Sequence, residues 1–299
     1  MQANVYLVKS FTQYPERGNP TGIILGSDNL TDVQMQHIAT ELNFAESVFV
    51  QSPTVGGADY RLRFFAPNHE VDLCGHGTIA AFHTLIEQGE VKLDEKLGKI
   101  TLVQETRAGT LEVTCYQDGR IVMKQKDPEF GAIEQNREQV AQMLGVTGAD
   151  FVDGLPIQIV STGTPKLLVP LKSLQALRAV RYDRSAIEAI KNYCRTTTAR
   201  GVYVFTTESP IPETDFYARQ FNPLADENED PITGVAAGAL GGYADKYKLL
   251  SKRQFTIAQG YDLNMGGDMV VDVTDGVCVG GYAVSYGKKQ SVSVSSLGR

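Results

Sequence analysis

Alternation of apolar and polar positions is clearest at Tyr60–Phe65. Tyr60, Leu62 and Phe64 fall on one face and Arg61, Arg63 and Phe65 on the other, the period of a strand. Val5–Val8, Ile23–Leu25, Ser47–Val50, Ile100–Gln104, Thr110–Tyr116 and Arg120–Lys124 add short strands to the first part of the chain. Ile157–Val160, Leu167–Val169, Val202–Thr206, Phe216–Phe221, Gln254–Ala258, Met269–Val273 and Val277–Val284 continue the series. Helical spacing is rarer. Thr31-Asp32-Val33-Gln34 forms a capping box, and Met35, Ile38, Ala39 and Leu42 recur behind it as far as Asn43. Asn136–Leu144, closed by Gly145, and Asp183–Tyr193, capped by Asp183, are two further helices. Arg17-Gly18-Asn19-Pro20-Thr21-Gly22 is a turn signal.

Two more helices are of another kind. Gly75–Gln88, with Gly89 beyond its end, and Gly234–Tyr247 are built of small and apolar residues on nearly every face. Such a helix needs a sheet wrapped around it, which predicts two α+β domains. The approaches echo each other. Phe65-Ala66-Pro67 leads through an acidic loop to Gly77-Thr78-Ile79-Ala80-Ala81, and Phe221-Asn222-Pro223 leads through Asp226–Asp230 to Thr233-Gly234-Val235-Ala236-Ala237. This self-similarity predicts two related halves, with a boundary between Asp118 and Pro128. The domains expected are residues 1–119 and 120–299, the last strand being a candidate to return to the first. If the halves face each other, both helix starts point at one ligand.

A chain of 299 residues can bury a large core. Hydrophobic residues at 42% and charged residues at 21% fit a globular chain rather than a disordered one. The net charge of −7 gives no electrostatic reason to bind nucleic acid or an acidic membrane. No apolar run has the length of a membrane-spanning helix, and residues 1–10 lack a signal-peptide pattern, so a cytoplasmic location is expected. Cys74, Cys115, Cys194 and Cys278 are scattered, without zinc-site or disulfide-framework spacing. His76 and His83, seven apart on a helix, are separated by about 10 Å along its axis and do not readily share an ion. No metal and no organic cofactor are expected.

Four residues are candidates for chemistry. Glu46, at a helix-to-strand junction among Phe44, Ala45, Val48 and Phe49, is a carboxyl whose apolar neighbours favour a retained proton, which suits a general acid/base. An exposed strand-edge glutamate is the plainer alternative. Asp230, ahead of the second small-residue helix, is either a second acid/base or a cap. His76, between Gly75 and Gly77, can donate to a carboxylate or relay a proton, or can be structural. Cys74 precedes it near a helix start, where thiols are acidified. A two-thiol racemase would need a matching cysteine, and Asp230-Pro231-Ile232-Thr233-Gly234 has none.

Arg17–Gly22, Leu42–Val50, Phe64–Ala81 and Glu229–Leu240 resemble, in order, the four signature segments of the phenazine-biosynthesis PhzF-like family. The resemblance implies the diaminopimelate epimerase-like fold: α+β, with two similar domains, each a mostly antiparallel sheet wrapped around a central helix. It also implies an isomerase that needs neither metal nor cofactor. The family's type member moves a proton within a cyclic dienoic amino acid by means of a glutamate. That role falls on Glu46, with His76 and Asp230 assisting. The resemblance implies Asn19, Gly75, Gly77, Thr233, Gly234 and Val235 as the substrate-binding positions. Val235 stands where the type member has serine, which keeps a backbone N–H but removes a hydroxyl donor. The expected partners are a small anionic substrate and, at most, a second copy of the chain in a homodimer. The alternatives are an amino-acid racemase or epimerase, and a binding protein that keeps the cleft without the reaction.

Overall fold

The structure, a computed structural model, describes residues 2–224, 229–287 and 290–293. The acidic stretch Asp226–Asp230 therefore lies outside the described residues except for Glu229 and Asp230. The chain divides into two compact units, Met1–Lys124 with Gly280–Arg299, and Gln125–Val279.

In the first unit β1 (Gln2–Ser10) pairs antiparallel with β2 (Asn19–Ile24). The helix α1 (Asp32–Leu42) then crosses to β3 (Ser47–Gln51), parallel to β2. β4 (Tyr60–Phe65) runs antiparallel to β3 and forms a short hairpin with β5 (Glu70–Val71). The small-residue helix α2 (Gly75–Glu87) crosses to β6 (Lys99–Thr106), parallel to β4. β7 (Gly109–Tyr116) and β8 (Ile121–Lys124) follow as antiparallel neighbours. β8 lies beyond the expected 119/120 boundary yet belongs to the first unit, because its register with β7, Val113 opposite Met123, ties it to that hairpin.

The second unit adds an edge strand, β9 (Glu129–Ile133), and a helix, α3 (Arg137–Leu144), and then repeats the scheme. β10 (Gln158–Ser161) pairs antiparallel with β11 (Lys166–Pro170), and α4 (Leu174–Ala179) and α5 (Arg184–Thr196) cross to parallel β12 (Val202–Thr206). β13 (Phe216–Phe221) forms a hairpin with β14 (Glu229–Asp230), and α6 (Gly234–Lys246) crosses to β15 (Gln254–Gln259), parallel to β13. β16 (Gly267–Asp272) is antiparallel to β15. The expected single strand Val277–Val284 is β17 (Cys278–Gly281) and β18 (Ala283–Ser285), interrupted at Tyr282, whose carbonyl accepts from the Thr12 N–H at 3.2 Å. β18 and β19 (Gln290–Ser293) both pair with β1.

Each sheet has a helix on either side. In the first unit α1 buries Met35, Ile38 and Ala39 against Val5, Leu7, Phe49 and Phe65. The intervening strand residues face α2, whose body, including Ile79, Ala80, Ala81 and Phe82, is buried. In the second unit α6 is sheathed in the same way. A Cβ at Gly241 would lie 2.7 Å from Val271 Cγ1, so the small residues are what let the helix seat on its strands.

The turn signal at Asn19–Gly22 is strand. Pairing of β2 with β3 begins only at Gly22, so Pro20 lies where one edge has no ladder to break. Gly22 is required by packing, since a Cβ there would lie 2.9 Å from Leu42 Cδ1. Among the described residues no helix is long and apolar enough to cross a membrane.

Candidate active site

The start of α2 gathers three of the candidate groups. Glu46 immediately precedes β3 and alternates with Val48, which packs on α2 close to Gly77, so the carboxyl is turned toward the helix. Its Oε2 lies 3.2 Å from His76 Nε2. Cys74 is the N-cap residue, and its sulfur accepts the Gly77 N–H at 3.3 Å. The same sulfur lies 3.4 Å from His76 Nδ1 and 3.5 Å from Nε2. The Ser10 hydroxyl, fully buried in β1, donates to the His76 carbonyl at 2.7 Å and fixes this turn against the sheet. Asn19 is directly across the ladder from Ser10.

The electrostatics reverse one expectation. Burial alone would raise the proton affinity of Glu46, as its apolar neighbours suggest. The hydrogen bond and charge of His76, with help from Cys74, outweigh it and hold the carboxyl below the ordinary 4.5. Burial likewise opposes the charge of His76, yet Cys74 and Glu46 carry it well above 6.5. Burial pushes the Cys74 thiol upward, so it stays neutral. With a neutral thiol beside it, the carboxylate is the partner that sustains the imidazolium. The two form a charged pair that is only partly covered, with 24% of the Glu46 side chain and 11% of His76 exposed.

The glycines divide. Gly75 is open, with nothing nearer its Cβ position than Met123 Cε at 3.8 Å. Gly77 is packed, its Cβ position 2.8 Å from Val48 Cγ2 and its N–H given to Cys74. The N–H groups of Gly75 and His76 are therefore the donors this helix start offers to an anion.

In the second unit Asp230 accepts from the Thr233 hydroxyl at 2.7 Å and from the Ile232 N–H at 3.2 Å. The Gln259 carboxamide donates to the Asp230 carbonyl at 2.8 Å and accepts the Thr233 N–H at 3.3 Å. Gly234 opens α6, and the carbonyl of half-buried Val235 accepts from the Thr162 hydroxyl at 3.3 Å. Lys166, almost wholly buried in β11, is pulled down to about 8 by burial against the charge of Asp230, and its Nζ donates to the Arg200 carbonyl. No motif in the sequence singles out Ser10, Gln259 or Lys166. Their only signal is a polar residue in a strand position that should be apolar.

Arg63 grips Glu70 through two bonds of 2.8 Å, and Arg219 grips Glu229 through bonds of 2.9 and 2.7 Å. These pairs align Glu70 with Glu229, and hence Cys74 with Thr233 and Gly75 with Gly234. The echo between the halves therefore runs in this register, in which Gly77 matches Ala236 rather than Gly234.

Two units of this repeated topology, each with a sheet around one central helix, define the diaminopimelate epimerase-like class of α+β folds. The chain belongs to the PhzC-PhzF family, since the profile of phenazine biosynthesis-like proteins matches residues 8–289. It is 34% identical over 279 residues to a Bacillus subtilis protein named uncharacterized isomerase YfhB, covering 92% of each chain. A phenazine biosynthesis protein of the PhzF family from Bacillus anthracis superposes with a TM-score of 0.84 at 30% identity, covering 98% of this chain and 99% of that one. The fold extends further, to a hydroxyproline epimerase from Agrobacterium vitis, with a TM-score of 0.65 at 10% identity over 99% of this chain and 93% of that one.

Proposed function

We propose that the chain is a cofactor-independent isomerase that moves a proton within a small carboxylate-bearing substrate, with Glu46 as general acid/base. The observation that carries this reading is the 3.2 Å Glu46–His76 pair at an open, glycine-led helix start. An ionised carboxylate can take a proton from carbon, and an imidazolium beside it stabilises the negative charge left on the substrate. A substrate carboxylate that draws His76 toward itself leaves burial as the main influence on Glu46. Its proton affinity then rises toward the range in which one group can both accept and return a proton. The N–H groups of Gly75 and His76 hold the anionic part. The family pattern assigns Asn19, Thr233, Gly234 and Val235 to the substrate and gives Asp230 an assisting role. The isomerase names of relatives such as YfhB support the reaction class.

Stereoinversion is a second reading, favoured by Cys74 Sγ at 3.4 Å from the His76 ring. Its neutral thiol and the Thr233 at the matching cap weigh against it. The test is to incubate the protein in heavy water with a mixture of small unsaturated and amino carboxylates, and to follow deuterium incorporation by mass spectrometry. Incorporation with double-bond movement, lost in Glu46→Gln, is the expected result. Undiminished incorporation by that variant would overturn the assignment.

A further inference from the structure

We propose that Glu46, Cys74 and His76 form a zinc site whose occupation blocks the proton-transfer centre. The blockade rests on the reading above, whereas the binding itself does not. Tetrahedral zinc holds thiolate sulfur at about 2.3 Å and imidazole nitrogen or carboxylate oxygen at about 2.0–2.1 Å. Neighbouring corners of such a tetrahedron are roughly 3.5 Å apart for sulfur and nitrogen, and roughly 3.3 Å for nitrogen and oxygen. Cys74 Sγ lies 3.5 Å from His76 Nε2, and that nitrogen lies 3.2 Å from Glu46 Oε2. One donor atom of each residue is within 4.8 Å of the other two. The sulfur is nearly equidistant from both ring nitrogens, so a turn of the imidazole that aims Nε2 between the sulfur and the carboxylate completes the set.

The surroundings suit a metal. The Gly77 N–H points at the sulfur and holds it at the helix start, with lone pairs left for an ion. Ser10 anchors the His76 carbonyl. Partly exposed Glu46 gives an ion a way in, and three protein ligands leave a fourth position for water or a substrate carboxylate. The spacing of His76 and His83 cannot reveal this set, because its third ligand comes from the junction before β3 and not from the helix. On binding, the thiol proton and the imidazolium proton leave to solvent. Glu46 and His76 are then ligands and no longer available to move a proton.

The test titrates the intact protein with Co²⁺, which reports a thiolate ligand by a charge-transfer band in the near ultraviolet. One equivalent is expected to saturate the band and Zn²⁺ to displace it. Cys74→Ser should lose the band, while Cys115→Ser and Cys278→Ser keep it. Should Cys74→Ser fail to fold, Glu46→Gln retains thiol and imidazole and is expected to weaken cobalt binding at least tenfold. Absence of the band at one equivalent, its persistence in Cys74→Ser, or unchanged affinity in Glu46→Gln would overturn the site. A second arm measures heavy-water exchange with and without one equivalent of Zn²⁺, relative to the zinc-free rate. At least tenfold suppression, reversed by EDTA, is expected. Exchange that continues with zinc bound would overturn the blockade. A protein that binds cobalt but exchanges no substrate fails the isomerase reading and not the site.

Discussion

At the start of α2 the cap is Cys74, with Glu46 and His76 paired beside it. At the matching start of α6 the cap is Thr233, tied to Asp230 and Gln259. One step back along the chain the units agree closely. Arg63 holds Glu70 and leans on Phe65 at 5.1 Å, and Arg219 holds Glu229 and leans on Phe221 at 4.9 Å. The shared clamp braces each hairpin that leads into a central helix, which makes it architecture. On the proposed reading, chemistry belongs where the units diverge. The first carries a charged acid–base pair at a partly open helix start, and the second ties its acid into a hydrogen-bonded cap.

The largest effect should follow from removing the divergent carboxylate. Glu46→Gln keeps shape and hydrogen bonding but cannot accept a proton, and a loss of about 10²–10⁴-fold in turnover is expected, with circular dichroism unchanged. Asp230→Asn, which keeps an acceptor for Thr233, should lose less in the same assay. Breaking the shared clamp should instead cost stability. Arg219→Ala strands the mostly buried Glu229 carboxylate, a loss of about 3–5 kcal/mol by denaturant unfolding, and Arg63→Ala should lose part of that. The loss is smaller at Arg63 because Glu70 keeps Arg107, while Arg219 also serves the Leu177 and Val180 carbonyls. A smaller contrast separates the two glycines of α2. In Gly77→Ala, overpacking against Val48 costs about 1–3 kcal/mol against a helix-propensity gain of about 1 kcal/mol. A net loss in melting temperature is expected there, and none in Gly75→Ala. The smallest effect is that of Val235→Ser at the start of α6, a half-buried site where stability should change by less than about 0.5 kcal/mol.

Local signals in the sequence were reliable where the physics is local. The Thr31–Gln34 capping box has both of its hydrogen bonds, and Asp183 caps α5 through the Ala186 N–H. The alternation at Tyr60–Phe65 is a strand, and the two small-residue helices are the central ones. The proton affinity of Glu46 was not legible, because the residue that decides it lies thirty positions on, on another element. For the same reason Pro20 signalled a turn, since only the third strand's register shows that its edge is unpaired. The echo between the halves was visible, but its register needed the two clamps.

The charged pair also fixes a pH window. Glu46, lowered in the folded chain, contributes stability present above 4.5 and lost as pH falls through its folded value. His76, raised, contributes stability present below 6.5 and lost as pH rises through its folded value. The pair is thus fully effective between 4.5 and 6.5. The most direct test of the central claim is a nitrogen-15 NMR titration of the His76 ring, assigned with His76→Asn. The account predicts an imidazolium at neutral pH, with a midpoint above 6.5 that drops in Glu46→Gln. A neutral His76 ring at pH 7, or a midpoint that Glu46→Gln leaves unmoved, would contradict it.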